Sequence, residues 1–362
     1  MAAMTGPFAD RLFRITFALA GVYNLAFGLW AGVWPLAFFE LFDIAPPRYP
    51  GIWACLGMVV GVYGLLYLHV SWTLETGWPI IAVGLLGKVL GPIGMVTSFG
   101  DDWPRRLGMI CVYNDLIWWL PFGLFLVRDT WLGRRVAALA PLLCVLVHAA
   151  AIAMLAIYLQ SGTLVEVDGF ARAQHVAGHT AAWTIGWATW MAAAASLVGF
   201  YAWWGGCLVG ATGEPHAATK GGRRTPWITL AVVIAAIGMV CDFSGEGSAI
   251  LRMVEQVPVT SVGGSAAVWD EGAFTRVERD FTLFSAGAAN GLYAIGGVLL
   301  TLATPNLPRW VRWAMWATWL AAAVMTVAAI ANHVGGMVVS TTALFPLLLV
   351  WVGWMGVRWR PA

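Results

Sequence analysis

Residues 15–41 read ITFALAGVYNLAFGLWAGVWPLAFFEL, with one Asn and no charged side chain before Glu40. As a helix rising about 1.5 Å per residue, such a run crosses a hydrocarbon core of ~30 Å. It is too long for the core of a signal peptide and no small-residue cleavage site follows it, so it is expected to be a retained helix. Apolar runs of roughly 18 to 25 residues recur along the rest of the chain, each long enough to span. They are continuously apolar, whereas a transmembrane barrel strand alternates apolar and polar residues. Helices remain, because lipid offers no partner to backbone N–H and C=O groups.

Composition agrees. The 362 residues are 60% hydrophobic and 10% charged, with a mean hydropathy of +0.78, whereas soluble domains run near ~25% charged. A water-soluble fold is excluded. The expected class is an all-α integral membrane protein of about ten transmembrane helices, whose first partner is the lipid bilayer. Helices are predicted at approximately 14–38, 52–69, 79–97, 107–127, 136–159, 176–203, 227–247, 281–303, 313–333 and 339–357.

Basic residues set the expected orientation. Arg11 and Arg14 precede the first helix, and Arg128, Arg134 and Arg135 follow the fourth. Lys220, Arg223 and Arg224 follow the sixth, Arg309 and Arg312 the eighth, and Arg358 and Arg360 the last. All fall on one side, which the positive-inside rule makes cytoplasmic, together with both termini. The loop Ser71–Glu75 belongs on that side yet carries no Lys or Arg. Arg48, Arg105, Arg106, Arg172, Arg252, Arg276 and Arg279 lie opposite, mostly in longer segments mixed with acids. Arg far outnumbers Lys, and Ala, Gly and Trp are abundant, which fits a high-GC bacterium and hence a bacterial inner membrane. A net charge of +2 without a basic cluster gives no sign of nucleic acid. The five cysteines form no C-x-x-C pair or metal-type spacing and are expected as small buried packing residues.

The basic segment Arg128–Arg135 divides the chain into a four-helix module, 1–130, and a six-helix module, 131–362, with an extracytoplasmic cap near 245–280. Within the second module W-A-T-W-M-A-A-A (Trp187–Ala194) returns as W-A-T-W-L-A-A-A (Trp316–Ala323) on an oppositely directed helix. That is the pattern of an inverted repeat, although an accidental match of two Ala- and Trp-rich helices accounts for it equally well.

Two polar constellations stand out. In the first module Lys88, within G-L-L-G-K-V-L-G-P-I-G (Gly84–Gly94), lies about nine residues or ~14 Å from its helix end, and Asp115 on the next helix falls at nearly equal depth. A charge at that depth costs ~2.5–3.5 kcal/mol or more, so a Lys88–Asp115 ion pair is expected, with Asn114, Asn24 and Tyr63 completing a midplane polar site. The set reads either as a proton relay or polar-substrate site, or as a pair that fixes helix register. Glycines on helices 2 and 3 are expected to let backbones close around it.

In the second module His175 and His179 are spaced i, i+4, as are Asp242 and Glu246, and His333 ends a helix on the same side. If helices 6, 7 and 9 are neighbours, these five residues converge, and their chemistry suits a divalent metal or, through two histidines, a haem. The alternative is ordinary interfacial polarity, with Glu278 and Asp280 as helix-start charges. His148 reads as a satisfied core histidine. No G-x-S-x-G, H-E-x-x-H or Ser-His-Asp arrangement occurs, so no catalytic residue is assigned and enzymatic activity stays open.

Residues 11–127 resemble the DoxX-like group of small bacterial four-helix membrane proteins, through G-V-Y-N-L-A-F-G-L-W (21–30), Y-P-G-I-W-A-C-L-G-M-V-V-G-V-Y-G (49–64) and N-D-L-I-W-W-L-P-F (114–122). The resemblance covers a third of the chain, carries over no catalytic residue, and implies a four-helix module tied loosely to redox and membrane-associated functions. Three function classes follow from the sequence. The first is a binding or accessory subunit working with other membrane subunits; the second is a transporter or proton-coupled carrier using the Lys88–Asp115 site; the third is a membrane-embedded metal or haem redox protein.

Overall fold

A computed structural model describes residues 6–98, 103–163, 168–210, 225–257 and 269–359. Among them ten helices are long and apolar enough to cross a membrane. They are α1 (Pro7–Val33), α2 (Pro50–Trp72), α3 (Trp78–Thr97), α4 (Arg105–Val127), α5 (Trp131–Thr163), α6 (Thr180–Gly210), α7 (Thr225–Met253), α8 (Glu271–Ala303), α9 (Arg309–Ile330) and α10 (Val334–Arg358). The protein is an all-α membrane protein, and large apolar side chains such as Leu29, Val62, Leu86 and Leu302 point outward as lipid-facing residues do.

The chain forms two compact units, Thr5–Ser98 with Asn114–Gly133, and Phe99–Tyr113 with Arg134–Ala362. The segment up to Tyr113 belongs to the larger unit. Its residues are tied there: Arg106 Nη1 lies 3.4 Å from Glu255 Oε1, and Gly247 faces Val112 and Met109.

In the smaller unit α1 and α2 meet along small residues. A Cβ added to Gly28 would lie 2.6 Å from Gly61 Cα, one on Gly21 2.8 Å from the Gly64 carbonyl, and Gly57 abuts Ala31. The helix-2 glycines therefore serve the α1–α2 contact rather than the Lys88 site, the usual way small residues let membrane helices approach. Phe13, Phe17, Phe122, Phe125 and Tyr67 fill the core beside this seam. Arg14 of α1 donates to the carbonyls of Ser71 (2.9 Å) and Trp72 (2.7 Å), so a cation from another helix caps the C-terminus of α2 at the loop that has none of its own.

Two expectations for the larger unit are corrected. Helix 7 does not stop at 247 but runs to Met253, and helix 8 begins at Glu271 rather than 281, with Asp270 Oδ1 accepting from Ala273 N as its cap. Most of the cap placed near 245–280 is thus helix, and residues 258–268 lie outside the described residues. The cause is pairing: Arg252 with Asp280 at 2.9 Å and Arg106 with Glu255 offset charges that made these turns read as loop. The start of helix 6 is likewise two pieces, a short helix Gly169–Gly178 capped by Asp168 and then α6. The two W-A-T-W copies pack differently: Met191 is buried at 8% exposure, whereas its counterpart Leu320 is 67% exposed.

Candidate functional site

Four spans contain π-helical segments, Val112–Leu116, Leu155–Leu159, Ala249–Met253 and Thr282–Ala289. A π turn loosens the regular ladder of backbone bonds, and in lipid the freed carbonyls need side-chain donors. The donors here are polar side chains that would otherwise be costly at such depth.

The first assembly surrounds the π turn that carries Asn114 and Asp115. Lys88 Nζ of α3 donates to the Asn114 carbonyl, Asn114 Nδ2 donates to Asp115 Oδ1 at 2.8 Å, and the Trp119 indole returns a 3.0 Å bond to the Lys88 carbonyl. Lys88, Asp115 and Asn24 are buried at 5%, 4% and 3% exposure. Gly91 is where α3 passes the carboxylate, since a Cβ there would lie 3.1 Å from Asp115 Oδ2. Tyr63 is half-buried, its ring 6.4 Å from that of Tyr67, and Tyr67, which the sequence reading overlooked, stands closer to the site, against Gly84.

The second assembly lies between α7 and α8. Asp242 accepts from Ser285 Oγ at 2.7 Å through Oδ1 and from the Tyr293 hydroxyl at 2.8 Å through Oδ2. Tyr293 in turn accepts the Tyr201 hydroxyl on its carbonyl at 2.9 Å. Ser285 sits on the α8 π segment, whose carbonyls at Ser285 and Gly287 accept from Asn290 Nδ2 (2.9 Å) and Thr326 Oγ1 (3.0 Å). One turn further along α7, Glu246 is 1% exposed, and its Oε2 has no hydrogen-bond partner among the described residues. Among those residues no Lys, Arg or His is ion-paired with either carboxylate. Ser285 and Tyr293 carry no motif; only their hydroxyls in otherwise apolar helices marked them.

The five-residue group expected to hold a metal or haem is not brought together. His175 and His179 stack with ring centroids 4.4 Å apart at the end of the short helix, not on one face of α6. His175 Nε2 is bonded to the Tyr158 carbonyl and His179 Nδ1 to that of His175. His333 is exposed and caps α10, its Nδ1 accepting from Gly336 N at 2.9 Å. Asp242 and Glu246 are drawn inside the span because α7 continues past them. Among the described residues no three His, Cys, Asp or Glu are grouped to hold a metal ion. Glu278 and Asp280 are not helix-start charges either: Glu278 pairs with Arg172 at 2.7 Å and Asp280 with Arg252. His148 is buried, with Nδ1 2.8 Å from the Cys144 carbonyl.

Comparison with protein-family models, with curated proteins and with solved structures yields no match.

Proposed function

We propose that the chain is a proton-coupled carrier of a bacterial inner membrane, with both termini in the cytoplasm, in which Glu246 and Asp242 take up the coupling proton. The observation that carries this reading is Glu246, a fully buried carboxyl group within a span, with an unpartnered oxygen and a second carboxyl one helical turn away. Two uncompensated charges at that depth would cost several kcal/mol each, so a bound proton or small cation balances them. Asp242 has two fixed donors and Glu246 has an open acceptor, so the pair offers one anchored and one exchangeable position. The π segment of α8 opposite supplies a helix whose backbone bonding is already irregular, the kind of element that can change conformation at low cost.

Lys88 and Asp115 carry opposite charges in one assembly, and we assign them to helix register rather than transport. The accessory-subunit reading draws on balanced charges, Trp-lined faces and the lack of a recognisable chemical motif, and it gives no role to the buried Glu246 with its unpartnered oxygen. The redox reading depends on imidazoles that lie apart from the carboxylates.

Infrared difference spectroscopy of the protein in bilayers tests the proposal. A carboxyl C=O band that appears and disappears reversibly with pH and vanishes in Glu246→Gln is the expected result. A spectrum in which Glu246→Gln removes no titrating carboxyl signal overturns it.

A further inference from the structure

Beyond the buried carboxyls, where α7 ends and α8 begins, a pocket of about 400 Å³ is lined chiefly by Arg106, Arg252, Arg276, Arg279, Glu255 and Asp280. Four guanidiniums and two carboxylates line it, and a third carboxylate, Asp270, stands beside Arg276. The guanidiniums are not equally committed. Arg279 is consumed by the end of α9, donating to the carbonyls of Ala329 (2.6 Å) and Ile330 (2.7 Å) and to Asn332 Oδ1 (3.2 Å). Arg106 pairs with Glu255 at 3.4 Å. Arg252 spends Nη1 on Asp280, and Arg276, 72% exposed, stands 3.6 Å from Asp270. Forked donors of this kind match the paired oxygens of a carboxylate or phosphate, and the volume falls within the range of small-molecule sites, ~300–1,000 Å³.

The pocket is built on the same two helices as the buried carboxyls. Arg252 follows Glu246 by about six residues, or ~9 Å along α7, and Asp280 precedes Ser285 by little more than one turn of α8. We propose that this pocket receives a small organic anion bearing a carboxylate or phosphate group, which is the species carried with the proton. The identity of the anion as cargo rests on the carrier reading; the anion site itself does not. Asp280 and Glu255 act there as internal competitors that hold the arginines until the ligand displaces them.

Equilibrium binding to the full-length protein in detergent tests this, with succinate, citrate, glycerol 3-phosphate and inorganic phosphate as probes and glycerol as the neutral control. At least one anion is expected to bind saturably and glycerol not at all. Arg276→Gln, an exposed position whose change leaves the fold intact, should weaken binding roughly tenfold, the size of one charge-assisted contact. Asp280→Asn should tighten it several-fold by removing a competitor, a gain that a merely structural role would not give.

Absence of saturable anion binding, or equal affinity in Arg276→Gln, overturns the pocket. Nanodiscs containing phosphatidylglycerol separate the two sources of a phosphate group: occupancy by that lipid which soluble anions fail to displace overturns the cargo assignment. A spectrum in which Glu246→Gln removes no titrating carboxyl band, with anion binding intact, defeats the carrier reading alone, and the converse result defeats the pocket alone.

Discussion

The Tyr293 hydroxyl donates a 2.8 Å hydrogen bond to Asp242 Oδ2, joining α8 to α7 inside the larger unit. With Ser285 on the other oxygen, both lone-pair sets of Asp242 are met by hydroxyls rather than by cations.

Removing one of these donors measures the state of the acceptor. Hydrogen bonds between neutral groups in membrane proteins average ~0.6 kcal/mol, whereas leaving a buried group of higher demand without its donor costs ~1–3 kcal/mol. Tyr293→Phe is expected to lower stability, read from unfolding in mixed micelles, by an amount nearer ~0.6 kcal/mol if Asp242 carries the proton. Identical unfolding of Tyr293→Phe, Ser285→Ala and the wild type would show that neither hydroxyl supports the carboxyl group.

The Lys88–Asp115 assembly makes a different forecast, because its charges cancel. Lys88→Met or Asp115→Leu alone strands a buried charge at a cost of ~3–5 kcal/mol, and the double substitution removes that penalty. The double variant should therefore unfold closer to the wild type than either single variant, which requires a coupling energy larger than one single penalty, above ~3 kcal/mol. Strict additivity would separate Lys88 from Asp115.

Arg172 and Glu278 allow magnitude to choose between two physical accounts. A charge at a helix start contributes ~0.3–1 kcal/mol, while one partner of a buried ion pair left alone costs ~3–5 kcal/mol. Their side chains are 6% and 14% exposed at a 2.7 Å contact. Arg172→Leu should accordingly destabilise by several kcal/mol, and Arg172→Leu with Glu278→Leu should recover most of it. A loss under ~1 kcal/mol in the single variant would return Glu278 to helix-end electrostatics.

The ten spans were legible because each holds a predominantly apolar run of bilayer length, a property of the chain alone. Where polar residues entered the runs, legibility failed in one direction. Arg252, Glu278 and Asp280 lowered local hydropathy and were read as loop or helix start, yet each meets a partner distant in sequence that makes it tolerable inside a helix. The spacing of His175 to His179 and of Asp242 to Glu246 correctly put each pair within reach on its own segment. No spacing, however, states which segment faces which, so the two pairs were joined into one site when α8 supplies the partners of Asp242 instead. Lys88 was legible as a buried cation, but its acceptor, the carbonyl of Asn114, exists because the backbone turns π there, and no residue type announces a π turn. Arg106, Arg252, Arg276 and Arg279 read as cations mixed with acids, and nothing in their spacing told that they line one pocket.

Three tryptophans at the other end of the larger unit have a mechanical consequence. Trp204 donates to Thr304, Trp319 to Thr301 and Trp351 to Thr318, each at 2.9–3.1 Å. Each threonine has already given its own proton to the carbonyl four residues back. The hydroxyl is thereby fixed in direction, and α6, α8, α9 and α10 are riveted in sequence, with the rings of Trp204, Trp319 and Trp351 closing on one another at 5.6 Å. The two ends of the unit are therefore fastened differently: neutral indole-to-hydroxyl bonds clamp one, whereas guanidinium contacts, which salt or a charge substitution weakens, hold the arginine-lined other.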